Sequence, residues 1–255
     1  MKARWIVLAI VLLSPQALDA QRGGRAGGAP PPTGQAAAGA DFTGYWVSLV
    51  TEDWRWRMMV APAGDHPSIP LNQAGRDLAG AWDPAKETAE DKCKAYGAGG
   101  IMRAPTRLNI SWENPTTLKI DTDAGTQTRR FAFGGRGDGL VTAAAAGPSL
   151  QGTSVASWQY GGGRGARAGG PVPPGQLKVV TTNLTPGYLQ RNGVPYSANA
   201  VVTEYFNRLN QPNGEVYMVV TSIVEDPTYL NVRMARSSHF KKEADGSKFK
   251  PVPCD

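Results

Sequence analysis

The chain has 255 residues, and its 27 lysines and arginines against 21 aspartates and glutamates give a formal net charge of +6. Most of this excess lies in two Gly-rich segments, and because a nucleic-acid-binding protein needs a clustered basic face, no nucleic-acid partner is expected. With two histidines in the whole chain, neither a zinc or copper centre nor a serine–histidine triad is expected, and no metal or cofactor is predicted.

The first 20 residues have the organisation of a secretory signal. Lys2 and Arg4 precede an apolar run at residues 5–13, and residues 17–20 resemble a cleavage site. The run is about nine residues long, well short of the roughly 20 that span a bilayer. A cleaved signal is therefore predicted in preference to an uncleaved anchor, with no transmembrane segment, and the protein is expected in the periplasm or outside the cell.

Residues 21–40 consist almost wholly of Gly, Ala, Pro and Gln. Such a segment has little apolar surface to offset the entropy lost on ordering, so it is predicted to be a disordered linker. The remainder, residues 41–255, is predicted to form a single domain. The basic residues of the linker and of a second Gly-rich insert at 161–175 are expected to make, at most, weak contact with anionic envelope polymers.

Three tryptophans and several ionic residues stand at the start of this domain. If residues 53–59 are extended, their side chains alternate between two faces. The two faces are then an apolar wall and a charged line: Trp54, Trp56 and Met58 against Asp53, Arg55 and Arg57. Trp46, Trp54 and Trp56 are predicted to point inward as core or ligand-contacting residues, and Arg55 and Arg57 to point to the opposite face.

Short strands separated by turns make up most of the rest. Alternating apolar and polar residues bounded by turn residues predict strands at 108–112, 117–122, 126–133, 154–160, 177–183, 200–209, 215–224 and 231–240. Short helices are predicted at 71–78 and 84–93. Antiparallel strands joined in near-sequential hairpins predict an all-β fold, either a closed barrel or a β-sandwich. The insert at 161–175 falls between two paired strands and is interpreted as an enlarged hairpin loop.

Cys93 and Cys254 are the only cysteines. An even count in an exported chain favours a disulfide, with two free thiols as the alternative. The loop of about 160 residues would give the bond an upper stabilisation of about 5 kcal/mol in the entropic model. The bond is predicted to pin the C-terminal segment to the domain.

Gly44-Tyr45-Trp46, on the first strand of a meander, resembles the Gly-x-Trp signature of the lipocalin and calycin group. The resemblance implies an up-and-down barrel with the tryptophan closing one end. A broader resemblance, to a group of exported bacterial proteins of unknown function, covers most of the chain. It rests on Cys93, Cys254 and the stretches 152–158 (GTSVASW), 177–182 (LKVVTT), 202–206 (VTEYF) and 224–227 (VEDP). It implies export and an all-β fold, and no chemistry.

The leading functional hypothesis is an exported, lipocalin-like protein that binds a small apolar or amphipathic molecule through Trp46, Trp54, Trp56, Arg55 and Arg57. The first alternative is an enzyme in the same cavity, with Glu52 or Asp53 as acid/base and an arginine holding an anionic group. The second is an envelope interaction module tethered by the linkers. Glu204 and Asp226 are interpreted as a strand and a turn residue, respectively, in preference to catalytic carboxylates.

Overall fold

The segments with alternating polarity form strands whose apolar positions face one interior. In β3 (Thr117–Thr122), Leu118 and Ile120 are buried while the charged residues between them are half-buried. The computed structural model describes residues 34–134, 147–160 and 175–254. The strands within them are β1 (Gly44–Leu49), β2 (Arg107–Asn114), β3, β4 (Thr128–Phe133), β5 (Thr153–Tyr160), β6 (Gly175–Thr182), β7 (Gly187–Gln190), β8 (Val194–Tyr196), β9 (Val201–Asn210), β10 (Val216–Glu225) and β11 (Met234–Lys242).

Nine of these strands close into a barrel, in the order β1-β11-β10-β9-β6-β5-β4-β3-β2. This confirms the predicted all-β barrel and excludes the β-sandwich. One pair departs from the antiparallel pattern, because β4 and β5 run parallel.

Helices are short and lie between β1 and β2. They are α1 (Trp54–Met58), α2 (Gln73–Ala81) and α3 (Ala89–Lys92), with 3-10 turns at Pro84–Lys86, Cys93–Tyr96 and Ile101–Arg103. A further 3-10 turn, Gly34–Ala37, precedes β1. In the part of the chain that the structure describes, no helix is long and apolar enough to cross a membrane.

The apolar core has two parts. The larger fills the barrel with side chains such as Trp46, Phe131 and Phe206. The smaller forms where α2 and the β7–β8 hairpin meet the ends of three barrel strands, and it includes Val202 of β9 and Met234 of β11. These added elements form a layer over one part of the barrel rim.

Trp46 is fully buried in the larger core. Its indole Nε1 donates a 2.8 Å hydrogen bond to the Phe42 carbonyl, and the Lys242 ammonium lies 5.6 Å from the centroid of its ring. Gly44, two residues earlier, has a φ of 103°, which glycine adopts without strain. The Gly-Tyr-Trp segment therefore opens the first barrel strand with a left-handed residue and an inward tryptophan.

The predicted Cys93–Cys254 disulfide is present, with a Cα–Cα distance of 5.0 Å. It joins the Cys93–Tyr96 turn to the C-terminal segment. That segment is also held by backbone contacts, since the Val252 amide donates to the Asp123 carbonyl at 2.8 Å. The alternative of two free thiols is excluded.

The predicted linker ends earlier than residue 40. Residues 34–40 lie against the barrel: Trp158 Nε1 donates a 2.8 Å hydrogen bond to the Gly34 carbonyl, and the Tyr160 hydroxyl donates to the Ala37 carbonyl. The composition of residues 34–40 does not predict this contact, because the segment contributes only backbone carbonyl acceptors to it. The aromatic donors belong to β5, which is distant in sequence. The predicted signal, the rest of the linker and insert residues 161–174 lie outside the described residues, and Gly175 begins β6.

Candidate functional site

The segment at 53–59 is a helix instead of the predicted strand, which changes where its side chains point. Asp53 is left-handed, with φ 51° and ψ 28°, and its carbonyl accepts the Trp56 amide at 2.9 Å and the Arg57 amide at 3.0 Å. With these bonds, α1 begins directly after Asp53. Successive side chains are then about 100° apart, so the predicted apolar wall and charged line do not form.

The predicted site residues consequently separate. Trp46 is in the core, but Trp54 is 62% exposed and Trp56 is half-buried. Arg55 is exposed and pairs with Asp65 at 2.7 Å. Arg57, predicted to share a face with Arg55, is only 3% exposed. The enzyme alternative requires arginines that are shielded from solvent inside the cavity, and Arg55 is exposed.

Arg57 anchors α1 to the barrel rim. Its Nε donates to the Arg103 carbonyl at 2.9 Å and one terminal nitrogen donates to Ser48 Oγ at 3.1 Å. The other terminal nitrogen pairs with Glu52 Oε1 at 2.6 Å. The guanidinium is thus occupied by neighbouring groups of the protein, and its main role is to hold α1 against the end of β1.

Glu52 is held as a carboxylate. Burial alone would raise the pKa of Glu52, but the hydrogen bond from Thr51 and the positive charge of Arg57 outweigh burial and place the pKa below its ordinary value. Such a group remains ionised near neutral pH. It is suited to pairing with an arginine, and it is not a general acid, which needs a raised pKa.

Arg103 lies next to this pair and was not predicted. One terminal nitrogen donates to Asp53 Oδ2 at 2.7 Å and the other to the Ser237 carbonyl at 3.1 Å. Burial is the main cause that lowers the pKa of Arg103 to about 10, and the nearby positive charge of Arg57 is the second. Several arginine side chains therefore lie close together at this point.

These groups form one side of a cleft at the rim of the barrel, between α1, the start of β11 and the added layer. Its polar residues include Asp53, Arg57, Arg103, Arg191 and Arg236, and its apolar residues include Trp56, Ile69, Leu189 and Met234. A cleft lined by both guanidinium groups and apolar side chains offers contacts to both parts of an amphipathic molecule.

The structure therefore brings together part of the predicted set. Asp53, Trp56 and Arg57 line the cleft, and Glu52 supports it from behind Arg57. The cleft also needs Arg103 and Arg236, which no local pattern singled out. Arg103 precedes β2 and Arg236 lies on β11, so only the closure of the barrel brings them near each other.

A second arginine site lies inside the barrel. Arg129 and Glu204 have fully buried side chains and form a forked ion pair, with nitrogen–oxygen distances of 3.0 and 2.6 Å. Thr181 Oγ1 accepts a further bond of 3.4 Å. Glu204 is a strand residue as predicted, but it faces the interior.

Asp226 lies in the turn after β10, as predicted. Its carboxylate accepts hydrogen bonds from the Ser197 amide at 2.6 Å and the Thr228 amide at 3.1 Å. This arrangement satisfies backbone donors of two adjoining loops. Across the described residues, His, Cys, Asp and Glu side chains form no group of three or more that could hold a metal ion.

Comparisons with protein-family models, with curated proteins and with solved structures found no match to this chain.

Proposed function

We propose that the protein is an exported, lipocalin-like binding protein for a small amphipathic molecule, which it holds in the rim cleft. The observation that carries the proposal is that arginines and apolar side chains line the same cleft. A closed barrel supplies a rigid frame for such a site. The cleft differs from the predicted site because it lies at the rim, where α1 and the added layer meet the barrel.

The apolar residues of the cleft belong to rigid parts of the fold. Ile69, Leu189 and Met234 are buried at 9%, 5% and 5% exposure and belong to the smaller core. Their contacts with that core fix their positions before a ligand arrives, which lowers the entropy lost on binding. Trp56 adds an aromatic surface on the α1 side.

The disulfide supports the export part of the proposal. Such bonds persist in oxidising compartments and are rare in reducing ones, and Cys93 and Cys254 are joined. The enzyme alternative has less support, because Asp53 in the cleft and Glu52 next to it are each engaged by an arginine.

A titration with short amphiphiles tests the proposal. Octanoate, octyl phosphate, octanol and octyl glucoside, each below its micelle-forming concentration, are titrated into the disulfide-bonded protein by calorimetry. At least one is expected to show saturable binding. Ser68 is exposed at the cleft, so Ser68→Trp should obstruct the cleft and weaken that binding.

Ser247→Trp is the matched control, because Ser247 is exposed and lies outside the residues that line the cleft. It should bind like the unmodified protein. The absence of saturable binding for all four compounds would refute the proposal. Equal weakening by both substitutions would refute the location in the rim cleft.

A further inference from the structure

We infer that the rim cleft selects ligands with an acidic head group, a carboxylate or a phosphate, and that Arg236 is the residue that recognises it. This inference rests on the proposed function and specifies the class of ligand. It follows from two features of the described residues: a cleft arginine without a carboxylate partner, and a buried donor without an acceptor.

Among the described residues, Arg236 has no carboxylate partner, unlike Arg57 and Arg103. Arg57 is matched by Glu52 at 2.6 Å, and Arg103 by Asp53 at 2.7 Å. Arg236 instead donates through one terminal nitrogen to the carbonyl and to the hydroxyl of Ser68, which are neutral acceptors. Among the described residues it takes part in no ion pair.

Arg236 and Arg103 lie near each other in the cleft. Arg103 donates to the carbonyl of Ser237, the residue next to Arg236 on β11, at 3.1 Å. The charge of Arg236 is also one of the causes that lower the pKa of Arg103. An anion placed beside both guanidinium groups would relieve this repulsion, whereas a neutral head group would not.

The buried donor is the indole of Trp56. Its Nε1 is buried and has no hydrogen-bond partner among the described residues, although buried polar groups nearly always have one. Trp56 lines the same cleft as Arg236. An acidic oxygen is an acceptor that the indole N–H lacks in the free protein.

The chemistry of the two donors defines the ligand class. A guanidinium is a planar fork that matches the paired oxygens of a carboxylate or a phosphate, and an indole N–H only donates. Neither group can accept a hydrogen bond, so an alcohol or a sugar gains less from them than an acid does. The remainder of the ligand then lies toward Ile69 and Met234.

The test compares head groups on the same chain. Octanoate and octyl phosphate are expected to bind more tightly than octanol and octyl glucoside, by about tenfold or more, since a hydrogen bond to a charged group contributes about 1.5–3 kcal/mol. Whichever acid binds more tightly identifies the head group. Added sodium chloride should weaken the binding of the acids and leave that of octanol unchanged.

Substitutions then assign the residue. Arg236→Gln is expected to lower the affinity for the acid by about tenfold and to leave octanol unaffected. Arg130→Gln is the matched control, because Arg130 is an exposed strand arginine outside the cleft. Trp56→Phe keeps a ring but removes the N–H, so a smaller loss confined to the acids is expected.

The outcomes separate this inference from the proposed function. Equal affinity for octanol and octanoate in the unmodified protein would overturn the acid-selective site and leave a binding protein in place. No saturable binding of any compound would remove the proposed function itself. If Arg236→Gln and Arg130→Gln weakened the acid equally, recognition by Arg236 would be refuted. Binding of the acids that did not respond to salt would refute charge recognition even where a variant does not fold.

Discussion

Arg129 in the barrel interior and Arg236 at the rim are both strand arginines, yet their surroundings differ. Arg129 forms two hydrogen bonds with a fully buried carboxylate, Glu204, and its guanidinium lies 4.9 Å from the centroid of the Phe131 ring. Arg236 contacts the neutral oxygens of Ser68 beside an open cleft. A buried arginine needs a counter-ion from within the protein. An arginine at an open cleft can pair with an anion from solution. The comparison therefore assigns Arg129 to the fold and Arg236 to binding.

The largest expected effect comes from breaking the interior pair. Glu204→Gln leaves Arg129 buried without a counter-ion, so the free energy of unfolding in urea should fall by about 3–5 kcal/mol. Replacing both residues together, by Arg129→Met and Glu204→Leu, should recover most of this loss, because it removes both buried charges.

The exposed pair of Arg130 and Glu113, 3.0 Å apart, is the control for the interior pair. Glu113→Gln should change the free energy of unfolding by less than about 1 kcal/mol. If Glu204→Gln changed it by a similarly small amount, the interior pair would not be a structural element of the barrel core.

Two tryptophans extend the comparison between interior and rim. Trp46 is fully buried and Trp54 is 62% exposed. Trp46→Ala should lower the free energy of unfolding by about 3–5 kcal/mol, and Trp54→Ala should change it by no more than about 0.5 kcal/mol. Urea denaturation of both variants measures the difference. A large loss for Trp54→Ala would restore the inward orientation predicted from the sequence.

The smallest expected effect concerns the acid stability of the rim. The pKa of Glu52 is lowered from its ordinary 4.5, so the unfolded chain binds a proton more readily than the folded protein does. Glu52 therefore contributes stability above pH 4.5, and this contribution is lost as the pH falls through the folded pKa.

A pH series of thermal unfolding for Glu52→Gln measures this effect. The variant should be less stable than the unmodified protein near neutral pH, and the difference should shrink in acid. Glu90→Gln, on the exposed surface of α3, controls for the removal of a surface carboxylate. A difference that stayed constant with pH would contradict the assignment.

The barrel strands could be predicted because the pattern that identifies each strand lies within that strand's own residues. Residues 117–122 alternate between apolar and polar side chains, are bounded by turns, and have the same bounds as β3. Residues 53–59 also alternate, but five to seven residues do not separate a period of two from a helical period. The chain enters a helix there because Asp53 has a left-handed conformation. The residue types around Asp53 do not indicate that conformation.

The candidate site could be predicted only in part, for a different reason. Asp53, Trp56 and Arg57 are close in sequence and remain close in space. Arg103 and Arg236 reach the same cleft because the turn before β2 and the start of β11 meet at the rim. That proximity depends on the barrel register, which local patterns do not determine.

The pairing of the first barrel strand with the last has a consequence for how the chain folds. Trp46 in β1 lies opposite Lys242 in β11, so the two edges of the sheet stay unpaired until almost all of the described sequence has been synthesised. Contacts between such distant residues slow folding, typically to milliseconds or longer. Unpaired edges also attract other chains. Deleting β11 should therefore expose β1 and β10 together and convert a closed barrel into an aggregation-prone open sheet.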